Sequence, residues 1–343
     1  MKTIVLTGGG TAGHCIPHFS ILPYLKENFT NVYYIGSKTG IEKKLVSEKN
    51  IPYFEIPSVK LKRKFCLDNF LIPFKLLKSV NEAKKILEKL KPNVVFSKGG
   101  YVSLPVILAS KKLNIPVIIH ESDYSMGLTN KISTKYAKKV LTSFDVDFKI
   151  KNQEVVGPPL LEELFSVSKE QALNYYNIKT NKPILLITGG SLGAKAVNKA
   201  ILDNLDGLLT KFTIFHIVGK GNLTNINKKD YYQVEFTKMQ YAYNLADICI
   251  SRCGSNTAFE LMALKIPTLF IPLPKSESRG DQIDNALYFK SKKLCRVLMQ
   301  EDINLLKNEI FALYNSKDYY KNNLYDSNIK NGNKKIAKIL NSF

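Results

Sequence analysis

Short runs of apolar, largely β-branched residues alternate along the chain with stretches whose apolar positions have helical spacing. In the first half the runs cover residues 4–7, 32–35, 94–97, 117–120, 139–142 and 154–156. In the second half they cover residues 184–188, 213–218, 233–235, 248–251 and 268–271. Such runs are typical of parallel strands that helices cover on both faces. The pattern therefore predicts an α/β fold in which two Rossmann-like domains face each other across a cleft.

A proline pair interrupts this alternation near the middle of the chain, within Val156-Gly157-Pro158-Pro159-Leu160. Paired prolines stop regular structure and preset an extended turn, so this segment is interpreted as an interdomain hinge. We therefore expect a first domain over residues 1–157 and a second over residues 158–324. The length of 343 residues agrees, because it exceeds what one hydrophobic core usually covers.

A glycine-rich turn follows the first strand of each half, at residues 8–14 and at residues 189–193. Such turns bring backbone N–H groups and a helix N-terminus up to an anion, usually a phosphate. The first turn also fits the dinucleotide pattern G-x-G-x-x-G. The second strand, however, ends at Ser37 without the acid that holds a nicotinamide ribose. The sequence thus argues against a dehydrogenase.

The second turn matches the G-x-S-x-G elbow of α/β-hydrolases, with Ser191 at its centre. That fold needs an acid and then a histidine after the serine. His216 is the histidine that follows, and it lies inside a predicted strand rather than on a late loop. We therefore expect Ser191 to donate its hydroxyl to a phosphate beside the glycine amides.

His14 ends the first glycine turn, where a helix begins. The positive end of the helix dipole disfavours a charged imidazole there, which predicts a neutral ring able to accept a proton. The alternative is that His14 only caps the turn. His18 follows one helical turn later, but Pro17 lies between the two histidines and no third ligand is evident. We therefore expect no metal site.

A third candidate loop, residues 251–260, follows the strand at residues 248–251. Its small polar residues predict a helix whose N-terminus can hold a diphosphate, and the carboxylate of Glu260 lies where it can accept two ribose hydroxyls. An ordinary capped helix is the alternative. Residues 278–286 add amides and carboxylates that suit a sugar. Together these loops predict a nucleotide-sugar transferase.

Basic residues outnumber acids by 50 to 29, for a formal charge of +21, which favours an anionic partner or reflects a compositional bias of the genome. Between residues 60 and 91 lysines are interleaved with bulky apolar side chains. This mixture suits an interfacial membrane patch, and the alternative is a helix packed on the core. No apolar run could span a bilayer, and the five cysteines form no CxxC pair, so we expect a cytoplasmic protein with reduced thiols.

Six motifs occur in one order: GGGTAGH at residues 8–14, SKGGYVS at 97–103, HESD at 120–123, GGSLG at 189–193, SRCGSN at 251–256 and RGDQ at 279–282. In this order and spacing the chain resembles the MurG family of peptidoglycan glycosyltransferases. The resemblance covers nearly the whole chain. It implies the two-domain GT-B architecture, with a C-terminal helix at about residues 325–343 that returns to the first domain.

The resemblance also implies the reaction. N-acetylglucosamine would move from UDP to the 4-hydroxyl of the muramyl sugar of lipid I, forming lipid II with inversion at the anomeric carbon. The enzyme would work at the cytoplasmic face of the membrane as a peripheral protein, without a cofactor or an obligatory metal. Its partners would be UDP-N-acetylglucosamine, lipid I and the anionic membrane surface, with no nucleic acid, and other cell-wall synthesis proteins are left open.

Roles for individual residues follow from the same resemblance. His14 would be the base, or would orient the acceptor hydroxyl. The donor would be bound by Thr11, Ala12, Gly13, Asp123, Ser191, Arg252, Ser255, Asn256, Thr257, Glu260 and Gln282. The acceptor side would be lined by Gly99, Gly100, Tyr101, His120 and Glu121. The membrane patch would contain Lys62, Arg63, Lys64, Phe65, Phe70, Leu71 and Phe74.

Two positions depart from the family pattern. Leu161 stands where many members carry an arginine that reaches the donor, and Asp123 stands where many have asparagine. We expect Arg252 or Lys195 to supply the missing cation. The alternatives are a GT-B enzyme with another glycolipid acceptor, a UDP-sugar epimerase, or a nucleotide-binding regulator without catalysis.

Overall fold

The computed structural model describes residues 2–57, 72–189 and 193–343. The chain divides into two compact units, Met1–Leu161 with Asn331–Phe343, and Glu162–Lys330. Within the described ranges each unit contains one sheet, and every strand pair in both sheets is parallel. The predicted fold class, two α/β units of the Rossmann type, is confirmed.

The first unit contains a sheet of seven described strands in the order β3-β2-β1-β4-β5-β6-β7. The strands are β1 (Thr3–Thr7), β2 (Asn31–Ser37), β3 (Tyr53–Ile56), β4 (Val94–Ser97), β5 (Val117–Glu121), β6 (Lys139–Thr142) and β7 (Gln153–Val155). The helices are α1 (Ile16–Leu25), α2 (Ile41–Ser47), α3 (Ile72–Leu90), α4 (Ser103–Lys112), α5 (Leu128–Ser133) and, from the C-terminus, α14 (Asn333–Asn341).

Alternate residues of β1 enter two separate hydrophobic cores. Ile4 and Leu6 pack on one face of the sheet with side chains of α1 and α14, whereas Val5 packs on the other face with α3 and α4. Because both faces are covered, the central strands are apolar throughout. This burial explains why the short apolar runs identified them.

The C-terminal segment joins the first unit beside the proline pair. Gly332 N–H donates to the carbonyl of Pro158 at 2.8 Å, and the Asn333 side-chain amide donates to the carbonyl of Leu160 at 2.7 Å. Ile336 and Leu340 of α14 are then buried in the same core as α1. Leu161 packs against this core as well.

The second unit contains a sheet of six described strands in the order β10-β9-β8-β11-β12-β13. The strands are β8 (Ile184–Thr188), β9 (Thr213–Ile217), β10 (Tyr231–Val234), β11 (Ile248–Ser251), β12 (Thr268–Phe270) and β13 (Arg296–Val297). The helices are α6 (Lys169–Tyr175), α7 (Lys195–Asp203), α8 (Leu205–Leu209), α9 (Met239–Leu245), α10 (Ser255–Ala263), α11 (Asp281–Ser291), α12 (Leu306–Asn315) and α13 (Lys317–Asp326).

Two strands were not expected from the sequence, β3 and β13, and both lie at the edge of a sheet. Tyr53, Phe54 and Glu55 of β3 are only partly buried, and β13 is two residues long. An edge strand has one neighbour and an open side, so it does not need a continuous apolar run. The pattern that found the central strands is therefore weak at the edges.

Three further findings concern only the described ranges. No helix there is long and apolar enough to cross a membrane. No group of three or more His, Cys, Asp and Glu side chains there could hold a metal ion. Cys15, Cys249, Cys253 and Cys295 are buried thiols without a disulfide.

Candidate functional site

In the first sheet, β1 and β4 are neighbours, although β2 and β3 come between them in the sequence. In open α/β sheets a ligand binds outside the carboxyl ends of the strands at such a topological switch point. The loop after β1 is the glycine turn that ends at His14, and the loop after β4 contains Gly99, Gly100 and Tyr101. The topology thus brings together the predicted base and part of the predicted acceptor side.

These two glycine loops are in direct contact. A Cβ atom on Gly100 would overlap the carbonyl oxygen of Gly9, and a Cβ on Gly10 would lie 2.6 Å from Cε1 of Tyr101. Gly10 and Gly100 also have φ angles of 88° and 80°, in the left-handed region that favours glycine. The close approach therefore requires glycine at both positions, and it places the Tyr101 ring against the first turn.

His14 is the last residue of a 3₁₀ turn, Ala12–His14, and α1 begins two residues later with Pro17 in its first turn. The His14 ring is partly exposed, and its Nδ1 lies 2.8 Å from Oγ1 of Thr11. In the tautomer in which Nδ1 donates to this oxygen, Nε2 carries the lone pair that a general base needs. Thr11, predicted to contact the donor, thus also orients the His14 ring.

His120, at the end of β5, is fully buried together with Lys98. Its Nδ1 contacts Nζ of Lys98, and its Nε2 lies 3.4 Å from the carbonyl of Gly157. Burial lowers the pKa of His120 well below its ordinary value. Burial also lowers the pKa of Lys98 to about 7, against the nearby charges of Glu121 and Asp123. His120 therefore lies behind the surface that the sequence predicts it to line.

The carboxylate of Glu121 is also directed into the protein. It accepts hydrogen bonds from the backbone N–H groups of Ser122 at 2.9 Å, Asp123 at 3.0 Å and Gly127 at 3.0 Å. The side-chain amide of Asn130 donates to it at 2.9 Å. Burial raises the pKa of Glu121, while these hydrogen bonds act in the opposite direction. Glu121 thus fixes the loop that holds Asp123, which is itself partly exposed.

The second sheet has its own switch point, between β8 and β11. The turn after β8 includes Ser191, which lies outside the described residues. Gly193 closes this turn with a φ of 72°, where a Cβ atom would overlap the carbonyl of Val218. The loop after β11 leads into α10, whose first three residues are Ser255, Asn256 and Thr257. The first N–H groups of a helix have no partner within it, so this terminus suits an anion.

Glu260 lies one turn further along α10 and is partly exposed. The hydroxyl of Tyr243 donates to its Oε2 at 2.9 Å, and burial raises the pKa of Glu260 to about 7. Gln282 lies in the first turn of α11, and its Oε1 accepts the backbone N–H of Leu273 at 3.1 Å. Both side chains thus stand near the carboxyl edge of the same sheet, each held by one internal hydrogen bond.

Arg252 is placed differently from the prediction that it serves the donor. Its side chain is buried, and Nη1 donates to the carbonyls of Ile271 at 3.0 Å and Pro272 at 3.2 Å. Its Nη2 donates to Oε1 of Gln300 at 2.6 Å. The guanidinium thus ties the end of β11 to the segment after β12.

Most of the predicted membrane patch, namely Lys62, Arg63, Lys64, Phe65, Phe70 and Leu71, lies outside the described residues. Phe74, on α3, is 71% exposed, and Leu77 on the same helix is 55% exposed. Lys75 and Lys78 are exposed beside them. This part of α3 therefore presents apolar side chains and lysines together, whereas Val80, Ala83 and Leu87 further along the helix are buried in a core with α4.

Two residues that the sequence did not single out follow strands at the carboxyl edges of the two sheets. Glu42, in the first turn of α2, accepts the backbone N–H of Gly10 at 3.2 Å. Phe236 follows β10 and is 55% exposed. In the sequence alone, Glu42 cannot be distinguished from an ordinary acidic residue at the start of a surface helix. An aromatic residue after a strand, such as Phe236, is likewise a weak indication of a binding site when the sheet topology is unknown.

The sequence matches two family models. The "Glycosyltransferase family 28 N-terminal domain" matches residues 4–142, and the "Glycosyltransferase family 28 C-terminal domain" matches residues 184–340. The chain belongs to glycosyltransferase family 28. The family resemblance that the six sequence motifs indicated is thereby confirmed. Each of the two structural units contains most of one family 28 domain.

Curated family 28 relatives match over the full length. The UDP-N-acetylglucosamine--N-acetylmuramyl-(pentapeptide) pyrophosphoryl-undecaprenol N-acetylglucosamine transferase of Clostridium tetani is 45% identical, covering 100% of this chain and 98% of the relative. The protein of the same name from Clostridium botulinum strain Langeland is 44% identical, covering 100% and 99%.

Solved structures are similar to this chain over its full length. The MurG of Acinetobacter baumannii superposes with a TM-score of 0.79 at 25% identity, covering 100% of both chains. A UDP-GlcNAc 2-epimerase from Neisseria meningitidis, solved with UDP-GlcNAc bound, has a TM-score of 0.67 at 17% identity and covers 99% of this chain and 98% of its own. The second likeness shows a shared fold alone.

Proposed function

We propose that this family 28 protein transfers N-acetylglucosamine from UDP-N-acetylglucosamine to the muramyl 4-hydroxyl of lipid I, forming lipid II. The observation that carries the proposal is full-length identity of 44–45% to relatives named for this transfer. The two switch points support it, because they supply one binding edge in each family 28 domain. The acceptor is assigned to the first unit and the donor to the second.

On the donor side, the N-terminus of α10 would hold the diphosphate through its first backbone N–H groups, with Ser255, Asn256 and Thr257 beside it. Ser191 would add its hydroxyl from the turn after β8. Glu260 would accept the ribose hydroxyls, and Gln282 would donate its side-chain amide to the sugar. Phe236 offers an exposed ring on which a uracil base can stack.

On the acceptor side, Nε2 of His14 would take the proton of the muramyl 4-hydroxyl as its oxygen bonds to the anomeric carbon. The bond from that carbon to the diphosphate oxygen breaks at the same time, and UDP leaves with the electron pair. This single displacement inverts the anomeric carbon. Helix N-termini and turn amides would stabilise the charge on the departing diphosphate.

The remaining acceptor residues divide by exposure. The partly exposed Gly100 and Tyr101 would contact the acceptor directly, because their loop lies at the switch point. The buried Gly99, with a φ of 85°, would shape the backbone of the same loop. The buried His120 and Glu121 would act by shaping that loop and the loop of Asp123. Arg252 would likewise support the donor loop from within the protein. The buried His120, Glu121 and Arg252 would thus have an indirect role.

The acceptor is anchored in a bilayer, so the enzyme has to reach the membrane surface. We propose a peripheral location at the cytoplasmic face, with Phe74 and Leu77 entering the acyl boundary and Lys75 and Lys78 meeting anionic headgroups. Other cell-wall synthesis proteins are further candidate partners.

Release of UDP from UDP-N-acetylglucosamine, measured with and without a lipid I analogue, tests the function. We expect release that depends on the analogue and a disaccharide product with inverted configuration. Acceptor-independent formation of a 2-epimer would instead indicate an epimerase, and transfer to a different glycolipid would indicate another acceptor. Tight UDP binding without any turnover would indicate a regulator.

A further inference from the structure

The Glu42 side chain is fully buried, yet its hydrogen-bond donors in the structure are neutral. Oε1 accepts the backbone N–H of Ser37 at 3.1 Å and the Ser37 hydroxyl at 2.5 Å, and Oε2 accepts the backbone N–H of Gly10 at 3.2 Å. Removing a carboxylate from water costs several kcal/mol. A shorter neutral side chain could close the β2–α2 connection at lower cost. The conclusion is that the Glu42 carboxylate stabilises a segment outside its own helix.

The segment that Glu42 stabilises is the glycine turn after β1. A Cβ atom on Gly9 would lie 2.6 Å from Cδ of Glu42, so the carboxyl group fills the space directly behind the turn. The Gly10 N–H points inward to Glu42 and is therefore not presented to a ligand. This differs from a phosphate-binding turn, in which such amides face the anion.

The turn is held at a second point as well. The hydroxyl of Tyr34 on β2 donates to the carbonyl of Gly8 at 2.7 Å. Burial raises the pKa of Tyr34 well above its ordinary value, so the hydroxyl keeps its proton and remains a donor. Gly8 and Gly10 are thus fixed by separate side chains, and the backbone leaves Gly10 in a set direction.

The next residues carry this direction to His14. Thr11 follows Gly10, its carbonyl accepts the backbone N–H of His14 at 3.2 Å, and its hydroxyl lies 2.8 Å from Nδ1 of the His14 ring. A displacement of Gly10 would therefore move both the backbone and the side-chain support of His14. Misplacement of a reacting group by about 1 Å can cost about 10²-fold in rate.

We propose that Glu42 is a positioning residue for the transfer reaction: it fixes the Gly8–Gly13 turn and thereby the placement of His14. The inference rests on the proposed function, because it takes His14 as the base. Glu42 acts on the acceptor-side unit, whereas the predicted donor residues other than Thr11, Ala12, Gly13 and Asp123 belong to the other unit. Its loss should therefore lower kcat much more than it changes the KM for UDP-N-acetylglucosamine.

The experiment compares Glu42→Ala, Glu42→Gln and the matched control Glu55→Gln in the full-length protein. Glu55 lies in β3 of the same unit, is partly exposed and pairs with Lys43. We expect Glu42→Ala to lower kcat about 10²-fold with a KM within about threefold of wild type. Glu42→Gln should recover about tenfold of this loss, because its amide oxygen can still accept one of the two sets of donors. Hydrogen exchange of the Gly8–His14 segment should be faster in Glu42→Ala.

A wild-type protein without acceptor-dependent UDP release would overturn the proposed function. An active wild type with Glu42→Ala as fast as Glu55→Gln would instead overturn the role of Glu42. If Glu42→Ala does not fold, Ser37→Ala removes one donor to the same carboxylate without changing the charge. A folded Ser37→Ala variant should show a lower kcat with unchanged KM, and a wild-type kcat there would overturn the inference.

Discussion

Replacing His18 should make the first unit less sensitive to acid. The His18 ring is fully buried between Tyr34 and Phe96, with ring centroids 5.4 and 5.5 Å away. Burial and the nearby charge of Lys98 together lower the pKa of His18 to about 3, against backbone contacts with Cys15 and Phe96 that raise it. The folded state therefore keeps this ring neutral in mild acid.

The sign follows from proton binding. In the unfolded chain His18 binds a proton below about pH 6.5, whereas in the folded chain it does not until about pH 3. Stability is thus lost as the pH falls through this window. Between about pH 7 and pH 5 the loss from this one group is about 2 kcal/mol, at about 1.4 kcal/mol per pH unit below 6.5.

The assay is urea unfolding of wild type and His18→Leu at both pH values, with hydrogen exchange of β1 and α1 to follow the first unit. Leucine has a similar volume and does not titrate, so other groups cancel in the difference between the two proteins. We expect that difference to change by about 2 kcal/mol in favour of the variant at the lower pH. A difference that stays constant would refute the assignment of a buried neutral imidazole.

Three further predictions concern the proposed transferase. His14→Ala should leave UDP binding nearly intact and lower turnover by about 10² to 10⁴-fold, and near-normal turnover would remove His14 from the mechanism. Glu260→Ala should weaken UDP affinity by about 2 kcal/mol, and an unchanged affinity by calorimetry would make Glu260 structural. The UDP affinity of the wild type should itself decrease when the pH is lowered below about 7, because this carboxyl then gains a proton. Replacing Phe74 and Leu77 with Ser should weaken binding to anionic vesicles and spare activity on a short-chain acceptor, and equal vesicle binding would argue against this patch.

The sequence predicted what depends on continuous burial and on short local motifs. Central strands such as β1 and β8 were recognisable because both of their faces are covered, and the glycine turns were recognisable because their spacing is local. Glu42 and Gly10 are 32 residues apart, and no periodicity links them. Only the parallel pairing of β1 with β2 brings the start of α2 behind the first turn.

The same limit applies to the direction of polar side chains. His120 and Glu121 follow a strand at the correct edge of the sheet, so the sequence placed them at the right end but could not show that they turn inward. Residues of other segments determine the direction of these two side chains, because Asn130 donates to Glu121 and Lys98 contacts His120. A motif therefore predicts where a polar group lies more reliably than what it contacts.

Leu161 and Arg252 show the consequence for the donor site. Leu161 packs against the core of the first unit, so its apolar side chain has a structural reason at the position where the resemblance implies an arginine. Arg252 or Lys195 was expected to replace that cation. The two terminal nitrogens of Arg252 already donate to two carbonyls and to Gln300. These hydrogen bonds, each worth about 1.5–3 kcal/mol for a charged donor, hold the buried guanidinium in place and favour a supporting role, although its Nε–H has no partner among the described residues. Lys195, the exposed first residue of α7, and the positive end of α10 are then the candidates to balance the diphosphate charge, because a cation and a helix N-terminus both favour an anion.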